Sequence, residues 1–259
     1  MKNYLSERLA QIKPSPTIAI SDKARELRAA GEDVISLSQG EPDFETPEHI
    51  KVAAIRAMQD GHTRYTAVDG IPELKQAIRD KFKLDNGLSY ELSQISVSTG
   101  GKQVLYNAFM ATLNAGDEVI IPAPYWVSYP DMVVLAEGRP VIAACLAQND
   151  FKLTAEELEA AITPATRWLI LNSPSNPTGS VYNQHELKAL AEVLLRHPQI
   201  LVMSDDIYEH LIYGKAEFST LAQVEPKLFS RTLTCNGMSK AYCMTGWRVG
   251  FAGGPEPLI

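Results

Sequence analysis

Cysteine is scarce in this chain. Three occur in 259 residues, at Cys145, Cys235 and Cys243, and no two of them have C-x-x-C spacing. That excludes a disulfide framework and a cysteine-based zinc site, and it points to a reducing cytoplasm as the compartment. Cys243 lies near Lys240, but a single cysteine in an apolar turn reads as core packing. Basic residues are also in the minority. Lys and Arg number 24 against 31 Asp and Glu, a net charge of −7, which argues against nucleic acid or an anionic membrane surface as a partner. No apolar run approaches the ~20 residues that span a bilayer. The N-terminal MKNYLSERLAQIKPSP has no apolar stretch between its charges, so it does not read as a signal peptide. Internal repeats, low-complexity tracts and flexible linkers are missing as well.

What is present is ordinary globular material, 45% hydrophobic and 21% charged, enough to bury a sizeable core. The length suits one large domain, or one domain with part of another. From residue 95 onward, short β-rich runs alternate with amphipathic helices. The strand candidates are 95–98, 118–121, 140–144, 167–171, 200–204, 232–235 and 249–252, most of them continuously apolar, as strands covered on both faces are. Thr46-Pro47-Glu48 marks an N-cap with proline in the first turn, and Gly61 closes that helix. Thr154 with Glu157 forms a capping box. Over 184–196, Leu187, Leu190, Ala191 and Leu194 recur at helical spacing and face a sheet. The alternation predicts an α/β domain with a mainly parallel sheet, in which ligands gather at the carboxyl ends of strands.

Several polar motifs fall at those ends. In Asn236–Gly250, Lys240 sits among small residues and Arg248 follows in a Gly-Trp-Arg turn. Such a lysine is either an amine held for a carbonyl cofactor, with a guanidinium for its phosphate, or a buried lysine paired with a carboxylate. Ser98–Gln103 follows a strand with Gly100-Gly101-Lys102, which is either a phosphate cradle at a helix N-terminus or a plain tight turn. Asn172–Gly179 makes a rigid turn that places Asn176 beside any site at that strand end. In Ser204–Tyr208, Asp205 would need a cation or strong donor, such as a protonated pyridine nitrogen, unless it caps the following turn, and Tyr208 could reach the same ring. Trp126, after Pro122-Ala123-Pro124, could stack on a planar group or serve the core. Gly40–Asp43 and Thr63–Thr66 are further polar turns.

Taken together, Ser36–Phe44, Asn172–Gly179, Ser204–Tyr208, Ser239-Lys240 and Met244–Arg248 make the whole chain resemble the fold-type I, class I pyridoxal-phosphate aminotransferases, in the branch of bacterial aspartate aminotransferases. The resemblance implies a three-layer α/β/α large domain with a mainly parallel seven-stranded sheet over 46–259. It assigns 1–45 to an N-terminal arm and small-domain segment. It implies pyridoxal 5'-phosphate, with Lys240 as the Schiff-base lysine and proton shuttle and Asp205 at the pyridine nitrogen. Asn176 and Tyr208 would donate to the ring hydroxyl oxygen, with Trp126 stacking on the ring. Gly101, Lys102 and Arg248 would grip phosphate, and Tyr65 would reach the phosphate of a neighbouring subunit in a homodimer with shared sites. Gly40, Trp126 and Asn176 fall among the substrate contacts, and Lys13 matches a lysine associated with prephenate.

The implied reaction is ping-pong transamination, with aspartate and 2-oxoglutarate as the expected pair. Two departures stand out. Gly237 occupies a position where many members carry a phosphate-binding serine. The chain also stops at Ile259, before the small C-terminal domain and the arginine that grips the substrate α-carboxylate. A truncated cofactor-binding fragment without turnover, exposing apolar surface and poorly soluble, is therefore the alternative. A DNA-binding regulator with an aminotransferase-like domain is disfavoured by the acidic composition.

Overall fold

The computed structural model describes residues 4–12 and 14–259. In chain order the helices are α1 (Pro16–Ala29), α2 (Glu48–Gln59), α3 (Pro72–Asn86), α4 (Gly101–Thr112), α5 (Ser128–Leu135), α6 (Ala155–Ala161), α7 (Gln184–Arg196) and α8 (Leu221–Val224). The strands are β1 (Ile95–Thr99), β2 (Glu118–Ala123), β3 (Arg139–Ala144), β4 (Thr166–Asn172), β5 (Leu201–Asp205), β6 (Thr232–Gly237) and β7 (Val249–Gly253). All seven expected strands are present, with ends within two residues of expectation. They form one sheet in the order β1-β7-β6-β5-β4-β2-β3. β7 runs antiparallel to both its neighbours, β1 and β6, and the other pairs are parallel.

β4 shows why the sheet is covered on both sides. Trp168, Leu169, Ile170 and Leu171 are all buried. Side chains of a strand alternate between faces, so Trp168 and Ile170 pack with α4 and α5, while Leu169 and Leu171 pack with α6 and α7. On the same face as α7, Ile78 and Phe82 of α3 join Ile95, Tyr90 and Phe251 in a third cluster. The result is a three-layer α/β/α domain. Thr154 and Glu157 form the expected capping box at α6, and Asn183 with Glu186 makes another at α7.

One expected cap is corrected. Pro47, not Thr46, occupies the N-cap of α2, and no side chain caps that helix. The Thr46 hydroxyl is used elsewhere: it donates to Cys243 O at 2.6 Å and accepts from Trp247 Nε1 at 3.0 Å.

The carboxyl ends of β1, β2, β4, β5 and β6 share one edge of the sheet, and β7 starts there, since Thr99 pairs with Val249. Two glycines let the chain close at this edge. Gly100 adopts φ +85°, and a Cβ at Gly250 would lie 2.3 Å from both Gly100 C and Gly101 N. Gly250→Ala is therefore expected to destabilise the fold by about 1–3 kcal/mol or more through overpacking. Gly246→Ala, where a Cβ meets nothing within 4 Å, should stay within about 0.5 kcal/mol. Urea midpoints of the two variants check the contrast.

Candidate active site

Asp205 ends β5 and is buried, 7% exposed. Burial pushes its carboxyl pKa up, opposed by the Tyr129 hydroxyl and the Ile207 backbone N–H. Tyr129 Oη donates to Asp205 Oδ2 at 2.6 Å. The neighbouring strand end adds order. Asn172, in register with Asp205, donates Nδ2 to Asp205 O at 2.8 Å, and its Oδ1 accepts from Asn176 N at 2.8 Å. Asn176 Nδ2 then donates to Tyr208 Oη at 3.3 Å. The Tyr208 phenol pKa is raised by burial and by the charge of Asp205, against the hydrogen bond from Asn176.

Asp206 turns to the opposite face. Ser204 Oγ donates to its Oδ1 at 2.8 Å, and its Oδ2 has no partner among the described residues. Burial pushes this carboxyl up to about 7; hydrogen bonds from Thr220 and Ser204 lower it, while Glu209 and Asp205 raise it.

Lys240 lies in the turn after β6, half-buried, with Nζ 5.9 Å from the centroid of the Tyr208 ring. Desolvation holds its pKa below the ordinary lysine value, Glu41 acts in the opposite direction, and Arg248 lowers it further. Its ammonium donates to Gly40 O at 2.5 Å. This is one of four ties between the 40–46 segment and the lysine turn, the others being Thr245 to Glu41, Thr46 to Cys243 and Trp247 to Thr46. Thr46, which sequence reasoning read as a helix cap, is thus a joint between two parts of the site.

The cationic end is built on the glycines. A Cβ on Gly100 would fall 2.1 Å from Arg248 Nη2, and a Cβ on Gly101 would meet nothing within 4 Å. Arg248, at φ +58°, also donates Nη1 to Thr245 O at 2.8 Å. Lys102 Nζ sits 4.8 Å from the Trp126 ring centroid, and Trp126 meets Tyr129 edge to face at 5.4 Å. Desolvation lowers the Lys102 pKa, as does Arg248, while Asp131 raises it. The missing hydroxyl at Gly237 has a steric reason: a Cβ there would lie 2.9 Å from Val249 O and 3.0 Å from Ile207 Cδ1.

A run of contacts therefore links Gly40, Lys240, Tyr208, Asn176, Asp205, Trp126, Lys102 and Arg248, with Gly101 following the Gly100 turn under the guanidinium. Tyr65 is not among them. It stands fully exposed between α2 and α3, and Lys13 lies outside the described residues. Two positions were missed as functional candidates. The sequence offers Asn172 only as the start of a turn, and nothing in it singles out Tyr129. The available signal for Tyr129 was its place on the buried face of α5 with Met132 and Val133, because a core-facing tyrosine hydroxyl needs a partner.

Residues 32–259 match the model of the family "Aminotransferase class I and II". The chain belongs to that family. An aspartate/prephenate aminotransferase of Cereibacter sphaeroides is 66% identical over 256 residues, covering 99% of this chain and 64% of the relative. Among solved structures, the aspartate aminotransferase of Rhizobium meliloti superposes with a TM-score of 0.96 at 56% identity, over 99% of this chain and 64% of that one. The Thermus thermophilus enzyme with maleate gives 0.94 at 47% identity, over 99% and 66%. The chain thus spans about 64% of the length of the curated relatives it matches, and its architecture is that of the fold-type I large domain.

The cofactor of this family is pyridoxal 5'-phosphate, and the residues in the cleft fit it. A buried carboxylate suited to a cationic ring nitrogen stands at one end. A glycine turn under a guanidinium, suited to a phosphate, stands at the other, with a desolvated lysine between.

Two predictions concern the acids. Tyr129→Phe removes a donor to the Asp205 carboxylate, so the Asp205 pKa rises further, as carboxyl-resolved NMR titration would show. For Asp206, the raised pKa means that folding favours the protonated form. That stabilisation is complete below the unfolded value of 3.8 and is lost as pH rises through about 7. Asp206→Asn removes the titration, so its melting temperature relative to the parent should climb between about pH 4 and about pH 7 and level off above that.

Proposed function

We propose that this chain is the cofactor-holding part of an aminotransferase that moves an amino group between aspartate and 2-oxoglutarate. The observation that carries this reading is the desolvated Lys240 amine, poised over Tyr208 in the cleft that ends at Asp205. Pyridoxal phosphate, when bound, supplies a carbonyl for amine exchange and an electron sink for the electrons freed at the substrate α-carbon.

The rest falls to the protein's own groups. Lys240 would hold the cofactor's carbonyl carbon and, as a free amine, would move the proton at the substrate α-carbon. Asp205 would favour a positive charge on the ring nitrogen, and Tyr129 would keep that carboxylate aimed. Asn176 and Tyr208 would donate to the ring oxygen, Trp126 would cover the ring face, and Gly101, Lys102 and Arg248 would hold the phosphate. Gly40 and Asn176 border the place for the substrate carboxylate. Lys13 is assigned to prephenate recognition, in keeping with the name of the Cereibacter relative.

Residues 1–45 form an arm and small-domain segment, and 46–259 the large domain. The burial of α1 supports this division, since Ala24 is its only buried residue. The assembly is a homodimer with shared sites: Tyr65, fully exposed, and the exposed Val52, Ile55 and Met58 of α2 suit a second copy. The compartment is the cytoplasm; no described helix is long and apolar enough to cross a membrane. A second reading is cofactor binding without turnover.

Adding pyridoxal phosphate should give a visible absorbance band that is absent in Lys240→Ala. A band that then changes with aspartate and is restored by 2-oxoglutarate supports transamination, and an unresponsive band supports the second reading. No Lys240-dependent band overturns the proposal. Glu41→Gln deletes a charge that raises the Lys240 pKa, so the pH midpoint for reaction of the apoprotein with pyridoxal should move downward.

A further inference from the structure

Behind the cleft, and outside it, lies a second set of buried polar groups. Glu209 directly follows Tyr208 and is 6% exposed. Its Oε1 accepts from Asn236 Nδ2 at 2.8 Å and pairs with the Lys81 ammonium; its Oε2 accepts from Asn86 Nδ2 at 2.8 Å. Lys81 Nζ also donates to Asn86 Oδ1 at 2.7 Å, closing a ring at the C-terminal turn of α3. On the other side, Asn236 Oδ1 accepts from Gly237 N at 2.7 Å. Asp85 and His210 form the rim, with His210 Nε2 3.2 Å from Glu209 Oε1. Because Lys81 already supplies the cation here, the cluster does not read as a metal site.

We propose that Glu209 is a positioning residue for the active site: its one carboxylate ties Asn236 and the end of α3 together and so fixes the turn bearing Tyr208 against the turn bearing Lys240. The sequence positions make this direct. Glu209 is adjacent to Tyr208, and Asn236 lies four residues before Lys240. Beyond the β5–β6 ladder, the backbone bond from Asp206 N to Cys235 O, at 2.9 Å, continues the pairing. The Glu209–Asn236 bond is the next tie outward, and it is directional. A buried ion pair of this kind is a poor source of net stability, since apolar groups of the same volume do as well. Its specific contribution is a defined geometry, because every polar group in the ring has one partner arrangement that satisfies it.

This inference rests on the pyridoxal-phosphate reading, and the test separates the two. Parent protein without a Lys240-dependent visible band would defeat the cofactor reading before any variant is compared. With the band present, the pyridoxal-phosphate dissociation constant and the pH midpoint of the visible absorbance are measured for Glu209→Gln and Asn236→Ala. Leu190→Ala, a core truncation in α7 remote from the cleft, serves as a destabilised reference. Both network variants should weaken cofactor binding by about tenfold, the scale found when partners that orient ligating groups are removed, and shift the midpoint. Leu190→Ala should lower the melting temperature while keeping both quantities at parent values. Parent-like affinity and midpoint in the network variants overturns the proposal, as does an equal change in Leu190→Ala. Asn236→Ala leaves Glu209 paired with Lys81 and Asn86, so it decides the matter alone if Glu209→Gln does not fold.

Discussion

A carboxylate held inside the protein at the end of a central strand is the constraint around which this site is arranged. Asp205 is desolvated by its position on β5, and desolvation alone would favour the neutral acid. The surrounding elements supply what opposes that tendency. α5 brings the Tyr129 hydroxyl to one oxygen, and the turn after β5 brings the Ile207 N–H. β4, in register, secures the backbone through Asn172. A cationic ring nitrogen would complete the neutralisation, so the site is electrostatically prepared for one class of ligand. The interior cost is the reason the preference is strong: in low dielectric, each donor or charge facing Asp205 weighs more than it would in water.

The opposite end of the cleft carries the complementary imbalance. Lys102, Lys240 and Arg248 lie close enough that Arg248 depresses the pKa of both lysines, with desolvation the larger cause in each. Three cations crowded together are an unfavourable arrangement that a dianionic group relieves. Glycine makes the crowding possible. The guanidinium occupies the space where Gly100 would carry a Cβ, and β7 reaches α4 only because Gly250 has none. Polarity thus runs from these cations toward the Asp205 carboxylate, with Lys240 the cation that reaches the Tyr208 ring. The same desolvation that depresses its pKa increases the share of free amine, the nucleophilic form.

Much of this was legible in the sequence, and the reason is physical. Continuous apolar runs such as Leu169-Ile170-Leu171 can be strands only if both faces are covered. That forces a layered α/β fold with its polar motifs at strand ends, so Lys240, Asp205, Asn176, Tyr208 and Arg248 could be placed together without coordinates. Tyr129 and Glu209 could not, since each acts through a partner distant in sequence: Asp205 lies 76 residues from Tyr129, and Asn86 lies 123 from Glu209. Thr46 misled for a related reason. Threonine before Pro-Glu fits a helix cap locally, but its hydroxyl is claimed by Cys243 and Trp247, 197 and 201 residues away along the chain. Local chemistry fixes what a side chain is able to do, and tertiary competition decides which of those bonds forms.

The turn after β5 shows how that competition is resolved where acids are dense. Asp205, Asp206 and Glu209 fall within five residues, and all three are buried. Facing the same way, they would repel one another in low dielectric, yet each has a separate outlet. Strand alternation sends Asp205 to Tyr129 and Asp206 to Ser204 and Thr220, while the turn swings Glu209 toward α3 and β6. Only Asp206 is left with an oxygen unpartnered among the described residues, and it is the one pushed up to about 7. Near neutral pH it is free to shed its charge by taking up a proton. Burial raises the Asp205 pKa as well, but there the Tyr129 hydroxyl and the Ile207 N–H oppose it. The neutralisation of Asp206 thereby removes a repulsion from behind Asp205, at the position where a full negative charge is most useful.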